Sequence, residues 1–301
     1  MVAGWDKIQR ITSLPMNSRN NLYLFGFVAL ALIFPATARS QNTATGSGHH
    51  SDATSPHPVG RMITLGDFGA EDLAYLAIPA TPPTLALVLV PDAFGLDDFT
   101  KLEADRLAAQ GYLVVAIDIY NGRQLTDPGE IANMIANLNA ESVMKTVDAG
   151  IRLFHESPKF HVDRVVAMGW GTGANYVFQA ARENKTLQGA VTFYGPVETN
   201  ENAIGKFTAP LCAVYPEKDS TVTHENVQAF QHLMKNAGNE CGAWFIDANR
   251  GWSNPKSKTY NPVEDKEAWK VALPFIAHIA TTPVKPKEGP SIIDKVKNIF
   301  N

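Results

Sequence analysis

Short apolar runs alternate with amphipathic stretches between about residue 84 and residue 280. Residues 84–90 form a nearly unbroken apolar run, as a strand covered on both faces requires. Residues 100–110 read as a helix: Leu102, Ala104, Leu107 and Ala108 mark its inner face, and Gly111 stands just past its end. Residues 112–119 give the next buried strand. Residues 131–154 are helical in pattern, with a break near Asn139. Strands are then expected at 164–168, 190–194, 211–215 and 243–246, and helices at 174–182, 225–237 and 265–279, with Gly238 closing the second of these. This βαβαβα order predicts an α/β fold, a mostly parallel doubly wound sheet flanked by helices, in a single domain over residues 61–280. Ligands of such sheets bind at the C-terminal ends of the strands.

The flanks read differently. Arg19 precedes a 13-residue apolar run from Leu22 to Phe34, and Ala36-Thr37-Ala38 follows with A-x-A spacing. That run suits the core of a signal peptide and is short for a membrane span, so residues 1–38 are expected to direct export. An uncleaved N-terminal membrane anchor is the alternative. Residues 39–60 are rich in Ser, Thr, Gly, Ala and His and read as a flexible linker. In residues 281–301 a Pro/Lys stretch leads to Ile292, Ile293, Val296, Ile299 and Phe300, which share one helical face. Docking of this short helix on its own domain is preferred over a contact with a protein partner or a membrane surface through 291–301.

The formal charge of −4 becomes −6 once Lys7, Arg10, Arg19 and Asp6 leave with residues 1–38, which argues against a nucleic-acid partner. There is no internal repeat, and no cysteine–histidine spacing of a metal site; no cofactor is expected. The two cysteines, Cys212 and Cys241, fall near the starts of successive strands. Export makes a disulfide permissible, and two buried free thiols are the equal alternative.

The chemistry centres on Gly169-Trp170-Gly171-Thr172-Gly173. An expected strand precedes this run and an expected helix follows it. That is the context of a nucleophile elbow, G-x-Nu-x-G, of the α/β-hydrolase fold. Gly171 stands where the nucleophile belongs, and it carries neither hydroxyl nor thiol.

Four further segments extend the likeness. They are Leu89-Val90-Pro91-Asp92-Ala93-Phe94-Gly95-Leu96, Ala116-Ile117-Asp118-Ile119-Tyr120-Asn121-Gly122-Arg123, Glu217-Lys218-Asp219 and Trp252-Ser253-Asn254-Pro255. With these the chain resembles the dienelactone hydrolase family over about residues 62–280. The resemblance implies a Cys-His-Asp triad, in which a thiolate attacks an ester or lactone carbonyl. Carried over, the nucleophile falls on Gly171, the acid on Asp219 and the histidine, five residues before Pro255, on Arg250. Two of the three positions are chemically wrong, because a guanidinium stays protonated and cannot act as a general base. Arg250 can instead form an ion pair with Asp219. The oxyanion hole is implied at the backbone N–H groups of Ala93 and Thr172, with a helix N-terminus behind Thr172. Asp92 falls at the family's Glu position and Arg123 at its substrate-carboxylate position. Both are expected to line a pocket with Phe94, Tyr194 and Trp252; ordinary packing of the aromatic residues is the bland alternative.

Replacement attackers fare poorly. Thr172 follows the elbow and is expected to point into the helix. His224 lies five residues past Asp219, but it has no nucleophile to serve. Three functions remain open. The first is an exported family member that has lost hydrolase chemistry and binds a small carboxylate, a carbonyl ligand or a protein partner. The second is an ester or lactone hydrolase with a relocated catalytic set. The third is a structural module that assembles through 291–301.

Overall fold

A computed structural model describes residues 57–282. The expected signal peptide, most of the linker and nearly all of the C-terminal tail lie outside the described residues. The last two linker residues are fastened to the domain, since the amides of Val59 and Gly60 donate to the Asp105 carboxylate at 2.8 and 3.1 Å.

Among the described residues eight strands form one sheet: β1 Arg61–Thr64, β2 Leu73–Ala77, β3 Ala86–Val90, β4 Leu113–Ile117, β5 Val165–Trp170, β6 Gly189–Phe193, β7 Leu211–Pro216 and β8 Cys241–Ile246. Their order is β1-β2-β4-β3-β5-β6-β7-β8. From β4 to β8 all neighbours run parallel, whereas β1 pairs antiparallel with β2 and β2 with β4. The expected βαβαβα order therefore needs a correction at its start: an antiparallel β1–β2 pair covers one edge of the parallel sheet. β3, β4 and β6 are buried at every position, which explains why they read as unbroken apolar runs.

Among the described residues seven α-helices flank the sheet: α1 Asp98–Ala108, α2 Pro128–Ala136, α3 Ala140–Glu156, α4 Gly171–Glu183, the short α5 Glu201–Ile204, α6 His224–Asn236 and α7 Pro262–Thr281. Local chemistry sets their ends. The break near Asn139 is a true boundary, because its side chain caps α3 by accepting from the Ser142 amide. Pro128 and Pro262 open α2 and α7, where a missing N–H costs nothing.

Cys212 and Cys241 are buried free thiols on the neighbouring strands β7 and β8. Leu211 pairs with Cys241 and Cys212 with Gly242, so the two cysteines are one residue out of register and their side chains leave opposite faces of the sheet. That offset rules out the disulfide alternative in this fold.

Candidate active site

β3 and β5 are neighbours, with Val90 beside Gly169. The chain leaves β3 toward β4 on one side, while β5 lies on the other, so the C-terminal ends of β3 and β5 flank the point where the strand order reverses. Open α/β sheets place their ligands at that crevice. The Asp92 loop and the Gly171 turn meet there.

The glycine frame of the turn is enforced sterically. A Cβ on Gly169 would lie 2.7 Å from the Gly173 carbonyl carbon, and one on Gly173 would lie 2.7 Å from that of Val90. Helix α4 thus packs directly on the backbone ends of β3 and β5. Gly171 sits at φ +47°, the left-handed conformation in which a side chain is strained. A Cβ there would be 2.8 Å from the carboxyl carbon of Asp92, with its Oδ1 nearer still. The space of an elbow side chain is filled by the Asp92 carboxylate.

That carboxylate also takes both backbone donors. Asp92 Oδ1 accepts from the Ala93 amide at 2.7 Å and from the Thr172 amide at 3.1 Å. Trp170, the residue before α4, gives the helix no side-chain cap, so Asp92 satisfies one of its orphan N–H groups from 80 residues away. The negative charge also lies at the favourable end of the helix dipole.

Two phenols border the carboxylate. Tyr194, also at positive φ (+43°), is fully buried with its ring 4.7 Å from that of Trp252. Burial first, and then the charge and acceptor of Asp92, hold its hydroxyl well above the usual phenol pKa. Tyr120 is buried too, and burial followed by the Asp92 charge pushes it up to about 12. Neither hydroxyl makes a well-formed hydrogen bond. Below them Trp170, Phe193, Trp252 and Trp269 pack as one aromatic cluster, with Trp170 and Phe193 stacked at 5.5 Å.

Asp219 and Arg250 form an ion pair at 3.2 Å. Asp219 is almost fully buried and Arg250 is part-exposed. Burial raises the Asp219 pKa, but the Thr221 hydroxyl and amide, together with Arg250, outweigh it and hold the carboxyl below its ordinary value. The Arg250 guanidinium also lies 5.9 Å from the centre of the Tyr194 ring.

Other expected site residues are placed elsewhere. Trp252 is fully buried, with its ring against those of Phe193 and Tyr194. Phe94 is half-buried on the loop after β3, where its carbonyl accepts from the Leu125 amide. Arg123 does not join Asp92. It lines a cavity of about 350 Å³ with Tyr120, Asp72, Asp118, Asn139 and Thr146, beside the end of β4. Asn121 and Gly122 both have positive φ and the Arg123 amide returns to the Tyr120 carbonyl, which makes a tight turn. The Arg123 main chain packs against Gly95, and its side chain is left exposed. His224 stacks on Phe245 with centroids 3.6 Å apart and pairs with Glu217 at 2.5 Å, outside the crevice.

One organising residue escaped the sequence reading. Asp97 is wholly buried, caps α1 through the Thr100 amide and hydroxyl, and accepts from Asn254 Nδ2 at 3.1 Å. It ties the Trp252–Pro255 loop to the loop after β3. The spacing Asp97-Asp98-Phe99-Thr100 ahead of an apolar helix face was a capping signal that could have found it.

Among the described residues no group of three or more His, Cys, Asp or Glu side chains is placed to hold a metal ion, and no helix is long and apolar enough to cross a membrane.

The family model of the dienelactone hydrolases matches residues 73–280. The chain belongs to the dienelactone hydrolase family. A Bradyrhizobium protein named "Probable 2-oxo-3-(5-oxofuran-2-ylidene)propanoate lactonase" is 26% identical over 240 residues, covering 71% of this chain and 92% of its own. A mouse "Carboxymethylenebutenolidase homolog" is 25% identical over 60% of this chain and 76% of its own. Among solved structures, a dienelactone-hydrolase-like promiscuous phosphotriesterase, P91, from metagenomic libraries superposes with a TM-score of 0.66 at 18% identity, over 74% of this chain and 99% of that one. The acylaminoacyl peptidase of Pyrococcus horikoshii reaches 0.57 at 17% identity, over 80% of this chain and 43% of that one. At these identities the solved structures speak for the α/β-hydrolase fold.

Proposed function

We propose that this dienelactone hydrolase family member has given up the family's Cys-His-Asp hydrolysis and acts by binding. One observation carries the reading: the carboxylate of Asp92 stands where a side chain on Gly171 would begin and consumes both amides that would hold an oxyanion. Oxyanion catalysis needs donors aimed at the position where charge develops, and here that position already holds an anion. The ion pair of Asp219 with Arg250 supports the same reading, since it leaves no base to draw a proton from a nucleophile.

The geometry narrows the alternatives. A water activated by Asp92 over the oxyanion hole would need the hole to be empty. A hydrolase relocated onto His224 would need that ring in the crevice, and it lies on the surface pair with Glu217. We further read residues 1–38 as an export signal, on the apolar run and the A-x-A spacing alone. Fractionation of the producing cell, with N-terminal sequencing of the exported protein from Arg39, tests that part.

The test of the vacated elbow is reversion. Gly171→Cys combined with Arg250→His restores a thiol and an imidazole beside the retained Asp219, and the new Cβ forces Asp92 off the two amides. Turnover of activated aryl esters above that of the parent protein is expected. A folded double variant that stays silent contradicts the reading.

A further inference from the structure

We infer that the crevice is a carboxylate-binding cage and that Asp92 is its tethered ligand, shutting the site to free acids. The inference rests on the reading of the elbow as vacated, and it deepens that reading by naming the ligand chemistry and what regulates access. The donors define the cage. Two backbone N–H groups, Ala93 on the loop after β3 and Thr172 in the first turn of α4, converge on one carboxylate oxygen. Two buried phenols, Tyr194 and Tyr120, have hydroxyls that lack well-formed hydrogen bonds; Tyr194 has Asp92 as its neighbouring acceptor, and Tyr120 lines the Arg123 cavity. Both are close enough for the charge of Asp92 to be felt.

Buried donors of this kind are costly unless an acceptor meets them. The arrangement is not a salt bridge, because no cation lies within ion-pair distance of Asp92 among the described residues. Neutral donors and a helix N-terminus around a single carboxylate make a receptor for a carboxylate. The guest is supplied by the protein itself, from the half-buried loop directly after β3. A free acid would have to displace a like-charged group held at high effective concentration by the chain. The crevice is therefore closed to small acids while Asp92 is in place, and it accepts a formate- or acetate-sized monocarboxylate once Asp92 withdraws.

A plain capping role for Asp92 on α4 is the rival account, and it gives the tyrosine hydroxyls no part. The full-length exported form with Asp92→Ala is titrated with sodium formate and sodium acetate against sodium chloride at equal ionic strength, by calorimetry and thermal unfolding. The cage predicts saturable binding and a rise in Tm for Asp92→Ala, with neither response in the parent protein. Adding Tyr194→Phe then weakens binding roughly tenfold, the scale of one hydrogen bond to a charged group. If Asp92→Ala does not fold, Asp92→Ser leaves similar room and carries the same expectation.

Acetate binding to the parent at this site overturns the inference, as does a folded Asp92 variant that responds no more to acetate than to chloride. Binding that ignores the Tyr194 hydroxyl favours capping and also overturns it. These readouts are binding and Tm, whereas the reversion experiment reads turnover, so the two readings fail separately.

Discussion

Asp92 and Gly171 share one volume: the carboxyl carbon of Asp92 lies 2.8 Å from where a Cβ on Gly171 would sit. Neither residue is unusual alone. Together they place a carboxylate from the facing loop in the space that a side chain on Gly171 would occupy. Glycine at φ +47° also removes the strain that an elbow residue bears.

Gly171→Ala therefore pays twice, for the left-handed backbone and for moving the carboxylate. The expected loss of stability is about 1–3 kcal/mol from the backbone alone, with more where the Ala93 and Thr172 amides lose their acceptor. Chemical denaturation of parent and variant measures it. An unchanged stability would show that the turn and Asp92 accommodate a methyl group freely.

Asp97 is the fastening between the two loops of the site. Asp97→Ala removes the α1 cap, worth about 0.5–2 kcal/mol, and leaves the Asn254 amide without its partner, a further ~1–3 kcal/mol. A loss of roughly 1.5–5 kcal/mol in urea unfolding is expected from these two effects, whereas a loss below about 0.5 kcal/mol, the usual range of surface substitutions, would place Asp97 outside the fastening role.

The pH dependence of the Asp219–Arg250 pair has a definite sign. Hydrogen bonds from Thr221 and Arg250 outweigh the burial that opposes them and hold the folded Asp219 carboxyl below its unfolded value. Its contribution is fully present above the unfolded carboxylate pKa and is lost as pH falls through the lower folded one. Arg250→Met should cost up to about 1 kcal/mol at neutral pH, because the guanidinium is partly solvated. The difference from the parent should close as pH falls through the lowered folded value, as read from Tm measured from pH 7 down to about pH 2.

Much of the fold was legible because β3, β4 and β6 are buried on both faces and their helices carry apolar stripes. The β1–β2 pair was not, since Met62 and Leu73 are exposed on a sheet edge and leave no clean alternation. The Asp219–Arg250 pair could be read from motif spacing, as both residues sit in loops that the motifs fix. The turn at Asn121-Gly122 that presents Arg123 has two positive φ values, which no apolar pattern encodes. The reach of Asp92 into the elbow is a contact across 80 residues, which no local pattern encodes.

The two thiols test the register of β7 and β8. Burial pushes Cys241 up to about 12 and Cys212 higher still, so neither is a thiolate at neutral pH. Native protein should resist a thiol-directed reagent, two equivalents should react on unfolding, and reductant should leave the Tm unchanged. Mass spectrometry showing a mass two hydrogens short of the fully reduced chain would contradict the register.

We propose that the crevice does not hydrolyse esters, and the decisive measurement is steady-state turnover of activated aryl esters and enol lactones by the purified parent protein. Rates indistinguishable from buffer are expected. Turnover well above buffer that persists in Gly171→Ala and disappears in Asp92→Asn would contradict the account, because it would make Asp92 a working catalytic group and not the occupant of a vacated site.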